Sequence, residues 1–210
     1  MNGILRLGAL VSGGGRTLLN LADRVADGTL PASMALVISS RHDAPAARLA
    51  AERGFTVRIA ARRDFGSESA LHDAITAWLQ QERVDLVCLC GYLRWFRCDS
   101  PWVNRAMNIH PALLPDFGGK GMYGLRVHRA VLACGATVSG CTVHFVDDRY
   151  DHGPIILKRT CPVLPGDDEE RLAARVFELE CQAYPEAIRL FAAGRLRVVG
   201  GSVCIAAAPG

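Results

Sequence analysis

The chain has 210 residues, of which 50% are hydrophobic and 21% are charged, and its formal net charge is +3. This length and hydrophobic content suffice for a substantial core and argue against intrinsic disorder. The basic residues are scattered, so nucleic-acid binding is not indicated, and the N-terminal apolar stretch is too short for a signal peptide or a membrane span. We therefore expect a soluble, cytoplasmic protein that binds neither nucleic acid nor membrane.

Apolar runs of strand length alternate with helical patterns along the first half of the chain. Strands that are apolar on both faces and separated by helices indicate a parallel sheet with right-handed crossovers. The predicted strands are Ile4–Val11, Met34–Ser39, Phe55–Ile59 and Val84–Cys90, and the predicted helices are Thr17–Val25, Ala44–Arg53 and Ser69–Glu82.

The pattern changes in the second half, where two strands of alternating polarity follow each other as a pair. The fold class is therefore predicted as α/β, with a Rossmann-like, mostly parallel twisted sheet flanked by helices and an antiparallel strand pair in the C-terminal half. The predicted segments are the strand Ala106–His110, a loop Pro111–Gly124, the helix Val127–Ala133, the strands Thr137–Val146 and Pro154–Val163, a helix from Glu169 to about Ala193 with Gly194 at its C-cap, and a loose tail over residues 200–210.

The eight cysteines include no Cys-x-x-Cys pair. Neither a metal site nor a disulfide framework has this spacing. Several of the cysteines stand in apolar runs, so we interpret them as buried free thiols in a reducing compartment.

The most informative segment is the strand that ends in Asn108-Ile109-His110-Pro111. In a strand, Asn108 and His110 project from the same face, and Pro111 ends the strand at His110. Active groups of open α/β sheets usually lie at such strand ends. An amide and an imidazole there, joined by a carboxylate, would suit acyl transfer, because they can hold an oxyanion and move a proton.

The loop between the paired strands offers three candidates for that carboxylate, Asp147, Asp148 and Asp151. Spacing alone does not choose among them. Asp151 precedes His152-Gly153-Pro154, a turn that could aim its side chain at the strand end.

Two segments at other strand ends are candidate binding sites. Ser12–Thr17 is a glycine turn before a helix, which favours a single phosphate, although it matches neither the dinucleotide fingerprint nor the Walker loop. Gly91–Phe96 follows the most apolar strand, where planar ligands often lie. The alternatives are a tight strand-to-helix turn and a helix start that packs aromatic side chains into the core.

The other histidines are weaker candidates. His144 alternates with apolar neighbours and could share a face with the site, although a structural hydrogen bond is an equal interpretation. His128 lies in the short helix and has little to favour a functional role. His42 and His72 are expected to be solvated, and His152 could be an ordinary loop residue.

Taken together, the motifs resemble those of the phosphoribosylglycinamide formyltransferase family, folate-dependent enzymes of purine synthesis. The matching segments occur in family order over about residues 5–198. They are Ser12–Gly15, Gly91–Arg94, Asn108–Pro115, Gly118–Gly124, Gly140–Val146, Asp151–Ile156 and Glu180–Pro185.

The resemblance implies that a formyl group passes from the co-substrate 10-formyltetrahydrofolate to the amine of glycinamide ribonucleotide, without a metal. His110 would be the general acid/base, Asp151 would raise its proton affinity, and Asn108 would hold the formyl oxygen. The ribotide would be bound by Gly15, Arg16, Thr17 and Glu180, and the folate by Leu93, Arg94, Trp95, Phe96, Asn108, Asp147, Asp148 and Asp151, with His144 in support.

We expect a single domain over residues 1–210, with a phosphate-binding half at about 1–108 and a folate-binding and catalytic half at about 109–199. Either a monomer or a homodimer is compatible with the sequence. The chain departs from the family pattern at Phe177, where many members have a polar residue on the phosphate side. Arg16 could supply the contact that is missing there. It also departs at Glu68, where some members have an arginine near the folate. The loop Asp116–Tyr123 is the longer variant of the family.

Related enzymes are the main alternatives. Formyltetrahydrofolate hydrolase usually carries an N-terminal regulatory domain and methionyl-tRNA formyltransferase a C-terminal basic domain, and we expect neither in 210 residues. An amino-sugar formyltransferase would have no use for the phosphate loop. A folate- or nucleotide-binding module would not need Asn108, His110 and Asp151 together.

Overall fold

The computed structural model of the chain describes residues 3–207, and they contain a seven-stranded sheet in the order β3-β2-β1-β4-β5-β6-β7. The strands are β1 Leu5–Val11, β2 Ala32–Ser39, β3 Val57–Ile59, β4 Leu86–Leu89, β5 Ala106–His110, β6 Val138–Phe145 and β7 Ile155–Pro162, followed by a separate pair, β8 Leu196–Val199 and β9 Ser202–Ile205. The helices are α1 Arg16–Ala26, α2 Pro45–Glu52, α3 Glu68–Gln81, α4 Leu125–Ala133 and α5 Glu169–Ala192.

This sheet confirms the predicted fold class. Strand β1 pairs in parallel with β2 and β4, and β2 pairs in parallel with β3. Strands β6 and β7 pair antiparallel, as their alternating patterns indicated. Strand β5 has the predicted bounds, and the other predicted elements agree with the structure to within about two residues at most ends.

The chain divides into two compact units, residues 1–107 and 108–210, and the boundary falls inside β5. In the first unit, β1 and β4 supply fully buried side chains such as Leu7, Leu10 and Leu86. Burial of strands on both faces is expected where helices cover a parallel sheet. The strands of this unit therefore appear in the sequence as continuous runs of apolar residues.

In the second unit, α5 contacts β6, β7 and α4. The two antiparallel strands approach closely at Gly140, where a Cβ atom would lie 1.9 Å from the carbonyl oxygen of Arg159. Helix α5 ends at Ala192, and its C-cap residue is Ala193 rather than the predicted Gly194. Gly194 follows directly with a φ of +65°, the left-handed conformation that often terminates a helix.

The tail differs from the prediction, because residues 202–205 form strand β9 and pair with β8. Residues 208–210 of the predicted loose tail lie outside the described residues. Segment 91–96 is not a helix start, since residues 92–96 form no helix or strand. In residues 3–207, no helix is long and apolar enough to cross a membrane.

Candidate active site

His110 is the last residue of strand β5 and is 3% exposed. Its Nδ1 atom lies 3.4 Å from Oδ2 of Asp151, and its Nε2 atom lies 2.8 Å from the carbonyl oxygen of Phe117. Since a carbonyl only accepts, Nε2 carries a hydrogen and donates it to Phe117. Nδ1 therefore faces the carboxylate of Asp151, and a second proton on the imidazole would be stabilised at this nitrogen.

The structure brings Asp151, rather than its two neighbours, to the end of β5. Its Oδ2 atom accepts from the N–H of Gly119 at 2.9 Å, and its Oδ1 atom accepts from Nδ2 of Asn108 at 3.1 Å. The backbone φ of Asp151 is +51°, a strained value for a residue with a side chain. Such strain is common at functional sites and here aims the carboxylate inward.

Asp147 has a different role, because it orders its own loop. Its Oδ1 atom accepts from the N–H of Arg149 at 2.9 Å, and its Oδ2 atom lies 2.7 Å from Nδ1 of His152. Asp148 is exposed. Gly153 follows in the same loop, where a Cβ atom would lie 2.0 Å from the carbonyl oxygen of Phe145.

Asn108 and His144 complete a cluster with His110 and Asp151, to which we refer as the catalytic cluster. The two histidines are buried, and Asn108 and Asp151 are partly buried. Nδ1 of His144 lies 2.8 Å from the carbonyl oxygen of Phe145, so this nitrogen carries the hydrogen. Nε2 of His144 can then accept from Nδ2 of Asn108 at 3.2 Å. The two hydrogens of one amide group thus face Asp151 and His144.

The cluster favours the deprotonated form of both the His110 imidazole and the Asp151 carboxyl group. Burial lowers the pKa of His110 below 6.5, although the carboxylate of Asp151 and the hydrogen bond to Phe117 act in the raising direction. Burial would raise the pKa of Asp151, but contacts with His144, His110 and Gly119 outweigh it and lower that pKa. Asp151 therefore acts to raise the pKa of His110, as predicted. Burial has the larger effect, however, and the pKa of His110 is lowered overall.

Two backbone groups of the cluster carried no side-chain signal in the sequence. The carbonyl of Phe117 and the N–H of Gly119 belong to the loop between β5 and α4, and both residues have positive φ angles. The hydroxyl of Thr142 on β6 holds that loop, since it donates to the carbonyl of Ala112 at 2.7 Å and accepts from the N–H of Leu114 at 3.0 Å. The peptide bond between Leu114 and Pro115 in the same loop is cis.

His128 on α4 is, like His144, a buried histidine near His110. It is 4% exposed, and its Nδ1 atom has no hydrogen-bond partner among residues 3–207. Burial, with a smaller contribution from His110, lowers its pKa to about 4. In the sequence, His128 stands among the apolar positions of α4. That position does not show whether a histidine side chain is buried or exposed.

The glycine loop of the first unit precedes α1. Gly15 is the N-cap residue, with a φ of +86° and no side-chain hydrogen bond to the helix. Helix α3, by contrast, is capped by the hydroxyl of Ser67, and α5 by the carboxylate of Asp168. A helix N-terminus without a side-chain cap presents N–H groups and a partial positive charge, which suits an anion.

Segment 91–96 of the same unit divides into exposed and buried parts. Leu93 is 48% exposed and Trp95 is 36% exposed, whereas Phe96 is 3% exposed and packs in the core. The N–H of Leu93 donates to Oγ of Ser12 at 2.9 Å, and that hydroxyl lies 2.6 Å from Oγ of Ser40. This buried chain of hydrogen bonds ties the segment to the glycine loop.

Two residues of α3 hold the exposed part of the segment. Nη2 of Arg94 lies 2.8 Å from Oε1 of Glu68. The ring of His72 packs edge-to-face on Trp95, with 5.1 Å between the ring centroids. The expectation that His72 is solvated is therefore wrong, because it is 6% exposed and covered by the indole.

Glu180 lies on α5 in the second unit and faces strand β6. Burial, followed by the charge of Glu180, raises the pKa of the Cys141 thiol to about 12. Among residues 3–207, no group of three or more histidine, cysteine or acidic side chains is arranged to hold a metal ion.

Comparisons with known proteins agree with the fold. The profile of the family described as formyl transferase matches residues 5–188. The phosphoribosylglycinamide formyltransferase of Haemophilus influenzae is 34% identical over 195 residues, which cover 92% of this chain and 90% of that protein. The crystal structure of glycinamide ribonucleotide transformylase 1 from Symbiobacterium toebii has a TM-score of 0.89 and 41% identity, covering 99% of this chain and 96% of that one.

Some relatives are much longer. The trifunctional purine biosynthetic protein adenosine-3 of Drosophila pseudoobscura pseudoobscura is 38% identical over 198 residues, and the chain spans 14% of its length. The fold and the profile match define the chain as a formyl transferase. Within that class, it belongs to the phosphoribosylglycinamide formyltransferase family, as the resemblance of its motifs predicted.

Proposed function

We propose that the chain transfers the formyl group of 10-formyltetrahydrofolate to the amine of glycinamide ribonucleotide, giving formylglycinamide ribonucleotide and tetrahydrofolate in de novo purine biosynthesis. The observation that carries this proposal is the catalytic cluster, in which an amide, two imidazoles and one carboxylate contact each other. Such a set can hold an oxyanion and move a proton, which are the two requirements of formyl transfer.

The amine attacks the formyl carbon, and negative charge develops on the formyl oxygen. Asn108 is the donor for this oxygen, because its amide carries two hydrogens that face Asp151 and His144 in the protein alone. In the complex, the formyl oxygen takes the place of one of these two acceptors. The remaining contact holds the amide in place, so the donor needs little reorganisation as the charge forms.

His110 moves the protons. Its lowered pKa keeps the imidazole neutral near pH 7, so it can accept the proton that the attacking amine loses. The carboxylate of Asp151, 3.4 Å away, stabilises the resulting imidazolium. The same proton then passes to the folate nitrogen as its bond to the formyl carbon breaks, and the imidazole returns to its neutral form.

Binding of the two substrates follows the family motifs. The proposed ribotide residues are Gly15, Arg16 and Thr17 of the glycine loop, together with Glu180 for the ribose hydroxyls. For the folate, Leu93 and Trp95 offer exposed apolar surface, and Arg94 offers a cation. Phe96 supports this surface from the core. Asp147 shapes its loop, while Asp148 is one of the exposed residues of that loop.

A formyl-transfer assay on the purified protein tests this function. Tetrahydrofolate formation is followed by absorbance with 10-formyltetrahydrofolate, in the presence and absence of glycinamide ribonucleotide. Turnover that requires the ribotide supports the proposal. Turnover without ribotide would instead make the chain a hydrolase, and folate binding without turnover would require another formyl acceptor.

A further inference from the structure

A cavity of about 450 Å³ lies in the first unit, at the C-terminal ends of β2 and β3. Its wall consists of residues 40–43, which follow β2, and residues 61–63, which follow β3. Cavities of this size hold small ligands. In doubly wound sheets, the residue that contacts the ribose of a nucleotide stands about 20 positions after the glycine turn. The wall includes none of the residues of the catalytic cluster or of the proposed ribotide and folate sites.

Two planar side chains of this wall, Arg41 and His42, are held through their edges. The guanidinium of Arg41 donates to both carboxylate oxygens of Asp43, at 2.9 and 2.6 Å. Nε2 of His42 lies 2.6 Å from Oδ2 of Asp64. The side chains of Arg41 and His42 are nevertheless 60% and 47% exposed. Their flat faces therefore remain available to a ligand, and guanidinium and imidazole planes stack on nucleic-acid bases.

Arg63 offers the positive charge that a phosphate group needs. Its side chain is 76% exposed, and its Nε atom lies 3.8 Å from Oδ1 of Asp64, which is longer than a hydrogen bond. Guanidinium groups bind phosphate through two parallel N–H donors. Arg62 has a different role, because its Nη1 atom donates to the carbonyl oxygen of Phe65 at 2.7 Å. The wall therefore combines flat surfaces with an available cation.

The floor of the cavity is small and uncharged. It consists of Ser40 and Ala61, which are both 6% exposed. Oγ of Ser40 lies 2.6 Å from Oγ of Ser12, the first residue of the glycine loop. The cavity therefore adjoins the glycine loop but has a wall of its own, so a ligand in the cavity does not need the N–H groups at the start of α1.

We propose that this cavity binds a nucleoside 5′-monophosphate, with the base stacked on Arg41 and His42 and the phosphate on Arg63. The base accounts for two flat groups whose edges are already occupied by Asp43 and Asp64. The phosphate accounts for Arg63, whose ion pair is long. This ligand is distinct from the ribotide substrate, which is assigned to the glycine loop.

Titration calorimetry of the full chain with adenosine 5′-monophosphate (AMP) tests the site, with adenosine and ribose 5-phosphate as partial ligands. We expect AMP to bind roughly tenfold more tightly than either partial ligand, because a stacked base and a contact with a charged group each contribute about that factor. High salt should weaken the binding of AMP and ribose 5-phosphate but not that of adenosine. Calorimetry requires no turnover, so the result does not depend on formyl transfer.

Two lysine variants separate stacking from charge, because lysine keeps the charge but has no flat guanidinium. Arg41→Lys should raise the Kd of AMP about tenfold and leave that of ribose 5-phosphate unchanged. Arg63→Lys should have a small effect, whereas Arg63→Ala should weaken the binding of both phosphate ligands severalfold. A misfolded variant would lose both ligands together, and thermal unfolding shows whether each variant is folded.

Arg48→Ala is the matched control. Arg48 is an exposed arginine of α2 that pairs with Glu52 and does not line the cavity, so its removal should leave the Kd of AMP unchanged. AMP should also bind with the same Kd after glycinamide ribonucleotide has been titrated to saturation in the same cell. Absence of ribotide binding in that first titration would count against the proposed function and not against the cavity.

Three results would overturn the proposal. The first is an absence of AMP binding at millimolar concentration. The second is displacement of AMP by the ribotide, which would place AMP in the glycine loop. The third is an equal affinity for AMP and ribose 5-phosphate, or full AMP affinity in Arg41→Lys, since either would show that the cavity does not hold a stacked base.

Discussion

The catalytic cluster and the glycine loop prepare for substrates by different means. In the cluster, buried and partly buried side chains contact each other, and each of the hydrogen bonds fixes the orientation of a reactive group. In the glycine loop, the backbone has the main role, through a left-handed Gly15 at a helix start without a side-chain cap. Side-chain chemistry therefore dominates one region and main-chain conformation dominates the other, so substitutions should affect the two regions in different ways.

The largest expected effect is that of His110→Ala, which removes the base from the cluster. General acid–base catalysis contributes about 10²- to 10⁴-fold to a rate, so kcat should fall by about that factor. Folate binding, measured by calorimetry, should change little. Full activity in this variant would show that the cluster does not transfer the proton.

The next effect is that of Asp151→Asn, which keeps the shape of the side chain but removes its charge. We expect kcat to fall on the order of 10²-fold, because the imidazolium of His110 loses its carboxylate partner. Ribotide binding should weaken far less than kcat. Equal losses in kcat and in ribotide affinity would instead identify Asp151 as a residue that positions the substrate.

The buried histidine beside the cluster should appear in acid stability. The pKa of His128 is about 4 in the folded protein and 6.5 for an ordinary histidine, so the unfolded chain binds more protons between these values. The contribution of His128 to the free energy of unfolding is complete above pH 6.5 and is lost as the pH falls to about 4. The total loss is about 3 kcal/mol.

Chemical denaturation between pH 7 and pH 4 measures this effect. His128→Met should flatten the acid dependence of the unfolding free energy, whereas His152→Gln, which removes an exposed histidine of the same unit, should not. An unchanged acid dependence in His128→Met would assign the loss of stability to other groups.

The smallest expected effect concerns the glycine loop. In Gly15→Ala, the new Cβ would lie 2.9 Å from Cβ of Ala46 at a φ of +86°, which should cost about 1–3 kcal/mol through strain. We expect the ribotide KM to rise while kcat at saturating ribotide stays close to normal. Gly14→Ala is the control, because a Cβ there has no neighbour within 4 Å.

Much of the fold was predictable because its signals are local. Pro111 fixed the end of β5, and the alternating patterns of the second half indicated the antiparallel pair that the structure contains. The β8–β9 hairpin also had a signal, since Gly200 and Gly201 stand between two β-type runs and both have positive φ angles. The small residues after position 205 obscured it.

The site was less predictable because it depends on conformation. Spacing did not separate Asp147 from Asp151, since the difference arises from a left-handed backbone at Asp151 and an internal hydrogen-bond pattern around Asp147. The contacts of Phe117 and Gly119 use main-chain atoms, which every sequence contains. His72 and His128 are buried by packing against other parts of the chain. Histidine is found both at the surface and in the interior of proteins, so its presence in the sequence did not indicate this burial.

The most direct test of the account is a double-mutant cycle between His110 and Asp151, with kcat measured for the unaltered protein, His110→Ala, Asp151→Asn and the double variant. If the catalytic cluster acts as one unit, the carboxylate has little left to stabilise once the imidazole is gone. The double variant should then be no more than slightly slower than His110→Ala. Losses that multiply in the double variant would show that the two residues act independently and would contradict the account.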